Sequence, residues 1–237
     1  MSSSIDEHLQ AIADAGRRCR EAALQTHRAD LGEVHQADSD IALWLSRLSG
    51  PTISQLEAAR RELALAEYSI SSGLYRQAYS SLRLFLELSF ASIHFSVNEF
   101  ERRQWISDRT DFSWSGALSA DDGVLSKPFV REFAPQLTEV AAEYSHHALE
   151  NYRYCSQFVH GKDRISRQLP EAIEPAPGLV IDWCNRATSS ARVVLFLLYV
   201  RYGQDLEANS DSVLQQTIIA HFGHVPAVRQ VLHMTGD

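Results

Sequence analysis

Cysteine is scarce in this 237-residue chain: there are three, Cys19, Cys155 and Cys184, far apart and without Cys-x-x-Cys spacing. That pattern excludes a disulfide framework and a structural zinc site and fits a reducing compartment in which the thiols stay idle. Long apolar runs are missing too. The most apolar stretch, Val193 to Val200, is eight residues held between Arg192 and Arg201, against the roughly 18 to 20 that span a bilayer. No glycine-rich phosphate loop occurs, since Gly32, Gly50, Gly73 and Gly116 stand alone, which argues against ATP or dinucleotide chemistry. No Gly-x-Ser-x-Gly elbow is present, and Cys155, though near His160, sits in a helical segment with no oxyanion arrangement. The segment Met1 to Glu7 lacks the basic and apolar regions of a signal peptide, so the expectation is a cytoplasmic protein without a membrane. Positive charge is in deficit: the net charge of -8 keeps the molecule soluble and disfavours general polyanion binding, so any nucleic-acid contact needs a local basic patch.

What is present is helical periodicity. With 45% hydrophobic and 22% charged residues the composition is ordinary globular usage, enough for one large domain or a domain with an appendage. Ser4 to Glu7 forms a Ser-x-x-Glu capping pattern before a helix running to about Thr26, and Leu31 to Leu48 carries a second, so residues 1–50 are read as an N-terminal helical hairpin. Ser49-Gly50-Pro51-Thr52 breaks the chain. Ser54 to Glu57 repeats the capping pattern ahead of a helix with Leu56, Leu63 and Tyr68 that ends near Gly73. From Leu74 to about Trp105, Leu82, Phe85, Leu86, Ser89, Ile93 and Val97 recur at helical spacing, predicting a central helix. Arg76, Arg83, Glu87, His94 and Glu101 form one polar stripe on it, either a solvated face with an Arg83 to Glu87 ion pair or a face turned toward a site or partner. Between 106 and 128 the period disappears, Asp111-Phe112-Ser113-Trp114 alternates and Asp121-Asp122-Gly123 signals a turn, so a small irregular or β-hairpin insertion is expected. Helix returns from Phe129 to Gly161, started or kinked by Pro135. A proline-bearing loop covers Arg164 to Gly178, an apolar helix Leu179 to Gly203, and one or two short helices Val213 to Met234. The core is thus placed at 51–204 and a helical tail at 205–237.

Chemistry concentrates at the end of the Phe129 to Gly161 segment. Metal-free RNA cleavage needs proton transfer at a ribose 2′-hydroxyl or the leaving oxygen, and charge stabilisation at the phosphate oxygens. His160 is the candidate for the first and Arg153 for the second. Seven residues apart, they lie on nearly the same helix face but about 10.5 Å apart along the axis, a gap that a two-fold dimer closes by pooling two helix ends. Lys162, Arg164 and Arg167 follow, opposed only by Asp163, and supply the local positive patch. The alternative is an imidazole that caps helix carbonyls, with basic residues complementing the helix dipole. Glu143 and His146 make a Glu-x-x-His unit of the carboxylate-bridged di-metal kind, but a second unit is missing, and His221 with His224 lack an acidic or cysteine partner nearby in sequence. No metal and no cofactor are expected.

These residues carry a resemblance. An arginine followed a few residues later by a histidine near a helix end, here Arg153 and His160, resembles the motif of the HEPN superfamily. The segment Tyr75 to Glu87, with Ala78, Leu82-Arg83 and Leu86-Glu87 at helical spacing, is similar to a second helix of such proteins, and the likeness covers about Ile53 to Gly203. It implies an all-α HEPN-like bundle, a homodimer through the motif helices, and metal-independent endoribonuclease activity in anti-phage defence or a toxin–antitoxin system. Asn151, Tyr154 and Ser156 are then expected to support the Arg153 and His160 pair, Tyr154 through a phenol that donates a hydrogen bond. A protein partner or inhibitor is also expected. The competing expectation is a non-catalytic interaction or adaptor subunit that binds its partner through Phe112, Trp114 and the polar stripe of the central helix.

Overall fold

The computed structural model describes residues 4–209 and 212–232. Its regular structure there is twelve α-helices and one 3-10 turn, with no strand among the described residues, so the chain is an all-α helical bundle. Helix α1 (Ile5–Thr26) starts at the capping box read from sequence: the Glu7 amide donates to Ser4 Oγ at 3.2 Å and the Ser4 amide to the Glu7 carboxylate at 2.9 Å. One residue, His27, separates it from α2 (Arg28–Leu45), which places Val34, Ala37, Ile41 and Trp44 in the core. Both helices touch the rest of the bundle more than they touch each other.

Helix α3 (Ile53–Ser71) begins without the second predicted box. Thr52 takes the N-cap position and makes no side-chain cap bond, while its carbonyl accepts from Ser92 Oγ at 2.8 Å. The helix stops at Gly73, whose φ of +78° suits glycine, with Leu74 N donating to Ser69 O and Gly73 N to Ile70 O. This tight connection lays α4 (Tyr75–Phe95) back along α3 in the most extensive helix pair of the molecule.

The single helix expected to run to Trp105 is two. Asn98 Nδ2 donates to the His94 carbonyl at 3.1 Å, capping α4, and α5 (Glu99–Ile106) turns back so that Glu101 reaches His94 Nε2 at 2.6 Å. Val97, read as a core contact, is therefore exposed. The 106–128 insertion contains no β-hairpin: its one regular piece is the single turn α6 (Trp114–Ala117), capped by Ser113 Oγ accepting from the Gly116 amide. The Phe112 and Trp114 alternation that suggested a strand instead seats two rings on the body, Phe112 against Phe95 and Trp114 between Phe90 and Tyr152.

The next expected helix is likewise divided, into α7 (Lys127–Phe133), a 3-10 turn at Pro135–Leu137, and α8 (Ala141–Val159). After the one-turn α9 (Asp163–Ser166) and a proline-bearing connection comes α10 (Pro177–Asn209), buried along Val193 to Val200. Helices α11 (Ser212–Phe222) and α12 (Pro226–Val231) close the fold; the end of the predicted tail, at Met234, lies outside the described residues. One cluster of buried side chains extends from Ala23 to Val228, with α4, α8 and α10 at its centre. Among the described residues no helix is long and apolar enough to cross a membrane.

Candidate active site

Helix α8 is amphipathic in the ordinary sense: Tyr144, Ala148, Asn151, Cys155 and Phe158 face the core, and Glu143, His146, Glu150, Arg153 and His160 face outward. Phe158 stacks on Tyr79 of α4 with ring centroids 3.8 Å apart, and Tyr144 on Phe196 of α10, also at 3.8 Å. These contacts fix the rotation of α8 and so the outward aim of Arg153 and His160. Both side chains are exposed, and among the described residues neither has a hydrogen-bond or ion-pair partner. His160 occupies the C-cap. Gly161 follows at φ +58°, and the Lys162 and Gly161 amides donate to the carbonyls of Gln157 and Phe158. Those orphan carbonyls are thus served by backbone and not by the imidazole, which answers the capping alternative for His160.

A third cation stands behind this turn. Arg76 of α4 donates from Nη1 to the Phe158 carbonyl at 2.5 Å and from Nη2 to Ser166 Oγ at 3.2 Å, so one guanidinium ties the end of α8 to α9. It also complements the negative end of the α8 dipole. Lys162 and Arg164 are exposed and have no ion-pair partner among the described residues, whereas Arg167 is paired with Asp163 at 2.7 Å. The C-terminal end of α8 and the turn after it thus carry Arg153, His160, Lys162 and Arg164 with Arg76 behind them, a local run of basic residues on a protein of net charge -8.

The three residues expected to support the pair point elsewhere. Asn151 is buried and donates to Ser189 Oγ at 3.1 Å. Ser156 Oγ donates back to the Tyr152 carbonyl at 2.8 Å. Tyr154 turns toward Asp182 and Arg186, and the Arg186 guanidinium carbon lies 3.4 Å from its ring centroid. Together with Tyr79, whose hydroxyl donates to Asp182 Oδ2 at 2.6 Å, they form a polar layer between α4, α8 and α10. Burial first, then the Asp182 charge, raises the Tyr154 pKa; burial and the bond to Asp182 raise that of Tyr79, and both phenols stay protonated. Sequence reasoning passed over Asp182 and Arg186, an ionic i, i+4 pair set among the apolar Val180, Trp183 and Ala187, which is the signal that would have found them.

The polar stripe of α4 faces protein along its length. Arg76 holds α8, Arg83 pairs with Glu87 at 2.9 Å and with the Tyr152 hydroxyl at 2.7 Å, and His94 meets Glu101. Trp114 stacks on Tyr152 with centroids 4.1 Å apart, so the aromatic insertion packs down on this layer. Beside it, a cavity of about 520 Å³ is lined by His94, Asn98, Glu101, Asp111 and Phe112.

The other chemistries weighed from sequence find little support. All three cysteines are buried, and burial pushes the Cys155 and Cys184 thiols up to about 12. Glu143 lies 3.8 Å from His147, not from His146. His221, without an acidic neighbour in sequence, is tucked against Asp40 of α2 at 2.7 Å. Among the described residues no three His, Cys, Asp or Glu side chains converge on a point that could hold a metal. No known family matches this chain, and neither does any curated protein or solved structure.

Proposed function

We propose that the chain is a metal-independent endoribonuclease of the HEPN type, working as a cytoplasmic homodimer in anti-phage defence or a toxin–antitoxin pair. The observation that carries this reading is an exposed imidazole and an exposed guanidinium on one helix face, neither with a partner among the described residues, with Arg76, Lys162 and Arg164 at the same helix end.

The chemistry requires two protons to move. The ribose 2′-oxygen loses its proton to one imidazole as it attacks phosphorus, the bond to the 5′-oxygen breaks, and a protonated imidazole delivers a proton to that oxygen. The ends produced are a 2′,3′-cyclic phosphate and a 5′-hydroxyl. A single chain offers one such histidine, so two copies of α8 brought together supply base and acid as His160 and the partner's His160, with Arg153 stabilising charge on the phosphoryl oxygens. Lys162 and Arg164 steer RNA toward the cleft against the overall negative field.

The direct test uses RNA in EDTA. The expected products carry 2′,3′-cyclic phosphate ends, and a substrate with a 2′-deoxyribose at the cut position stays intact. Cleavage of the deoxy-substituted position at an equal rate would remove the 2′-hydroxyl mechanism and with it the role assigned to His160.

A further inference from the structure

Helix α1 carries a stripe that its own fold uses only in part. Ile5, Leu9, Ile12, Gly16, Cys19 and Ala23 alternate at spacings of four and three residues, the pattern of a helix-pairing seam. The C-terminal half of this seam is closed: Cys19 and Ala23 are buried, and a Cβ on Gly16 would lie 3.5 Å from the Ser72 carbonyl. The N-terminal half is open, with Ile5, Leu9 and Ile12 exposed by 66%, 56% and 43%. It does not end in a loose strand of chain, because the reciprocal Ser4 and Glu7 bonds cap the first turn. About two turns of capped helix thus present an apolar edge, flanked by the acidic Asp6, Glu7 and Asp14.

A receptor of the opposite character lies on the same molecule. Leu24, Leu31, Ala64 and Tyr68 line a groove of about 470 Å³ between α1, α2 and α3, and Arg20 and Arg28 stand on it. Arg20 is held in place, donating to Ser72 Oγ at 3.0 Å with its guanidinium carbon 5.2 Å from the Tyr68 ring centroid. Glu67 is the acid that lines the groove. Burial, and to a lesser degree the Asp38 charge, raises its pKa to about 7, so near neutrality it opposes an acidic guest only in part.

We infer that the groove receives the α1 tip of a second copy, the two α1 helices running antiparallel and each tip entering the other's groove. With Leu9 of one copy set against Leu24 of the other, about 22 Å apart along the helix, the two-fold axis falls near Gly16 and Arg17, on the exposed side of α1 that carries Ala13. In that register the acidic tip of each copy meets the basic Arg17 to Arg28 half of the other, and the apolar edge meets Leu24, Leu31 and Tyr68. The contact is self-complementary and closed, as a two-fold interface must be. It lies on residues distinct from the α8 face and stands whether or not the chain cuts RNA; with both contacts formed the wild-type particle is a tetramer that each variant below halves to a dimer, and with the α1 contact alone it is a dimer halved to a monomer.

Solution mass of the full-length chain tests this. Leu9→Glu replaces an exposed residue, leaves the core intact, and removes the anchor twice per dimer, so it raises the dissociation constant roughly a thousandfold. Two charge variants sharpen the test, Asp6→Lys/Glu7→Lys at the tip and Arg20→Glu/Arg28→Glu at the groove. Each alone is expected at half the wild-type mass. Mixed, they restore both contacts, since the reversed tip of one meets the reversed groove of the other and the unaltered tip meets the unaltered groove. Recovery of the wild-type mass in the mixture alone is the result expected. A wild-type chain that is monomeric at about 100 µM, variants with unchanged mass, or a mixture that stays at half mass would each overturn the inference.

Discussion

Glu67 offers the sharpest stability prediction. Its carboxyl sits on α3 beside α2, its Oε1 is buried without a hydrogen-bond partner, and desolvation raises its pKa from 4.5 to about 7, with the Asp38 charge as the lesser cause. A carboxyl whose folded pKa is raised binds its proton more tightly in the native state than in the unfolded chain. Stability is therefore unaffected below about pH 4.5 and falls as pH rises through about 7, where the native carboxyl must ionise. The full displacement corresponds to about 3 kcal/mol, and because the side chain is only part-buried, solvent screening leaves about 1–2 kcal/mol. Glu67→Gln keeps the shape and removes the ionisation. It should match the wild type near pH 4.5 and exceed it by about 1–2 kcal/mol at pH 8, roughly 2–8 °C in midpoint for a chain of this size. Thermal or urea unfolding across pH reads this directly. An equal effect at both pH values, or destabilisation at pH 8, would refute the argument from desolvation.

The turn after α8 yields two further expectations. Arg76→Met removes the bonds to Phe158 and Ser166 and should destabilise the protein by about 1–2 kcal/mol in chemical denaturation, while lowering cleavage through displacement of His160. Gly161→Ala at φ +58° should cost about 1 kcal/mol. Gly73→Ala should cost about 2–3 kcal/mol, because its Cβ would also stand 2.8 Å from Cys19 Sγ; the same urea titration ranks them, and an inverted order would contradict the packing described. The buried thiols should resist a thiol-specific reagent at pH 8 in the native protein and react after denaturation, with fast native labelling of Cys155 as the contrary result.

Much of the helical order was legible because the signals are local. The Ser4 and Glu7 box and the Gly73 and Gly161 stops each act within one turn of backbone, whereas the start of α10 at Pro177 falls in the segment expected as loop. The failures lie where tertiary contacts decide. The break at residues 96–98 follows from Asn98 and Glu101 engaging His94, and apolar periodicity carries on through it unchanged. The alternation at Phe112 and Trp114 mimics a strand because both rings pack on one body while Ser113 between them caps a helical turn. At the candidate site, Arg153 and His160 were visible from spacing alone, since seven residues return to the same face. Arg76 was not, because its approach to Phe158 joins positions 82 residues apart. Asn151 and Tyr154 were placed beside the pair by adjacency in sequence, yet neighbours on a helix diverge by about 100° and these two turn toward α10.

A composite Arg153 and His160 site in a dimer is read by RNA cleavage in EDTA together with solution mass, for wild type, Arg153→Ala and His160→Ala. Both side chains are exposed and have no partner among the described residues, so both variants should keep the wild-type mass and unfolding midpoint while cleavage falls about 10²- to 10⁴-fold. A folded wild type that cuts no RNA, or variants that cut as fast as it does, would contradict the account.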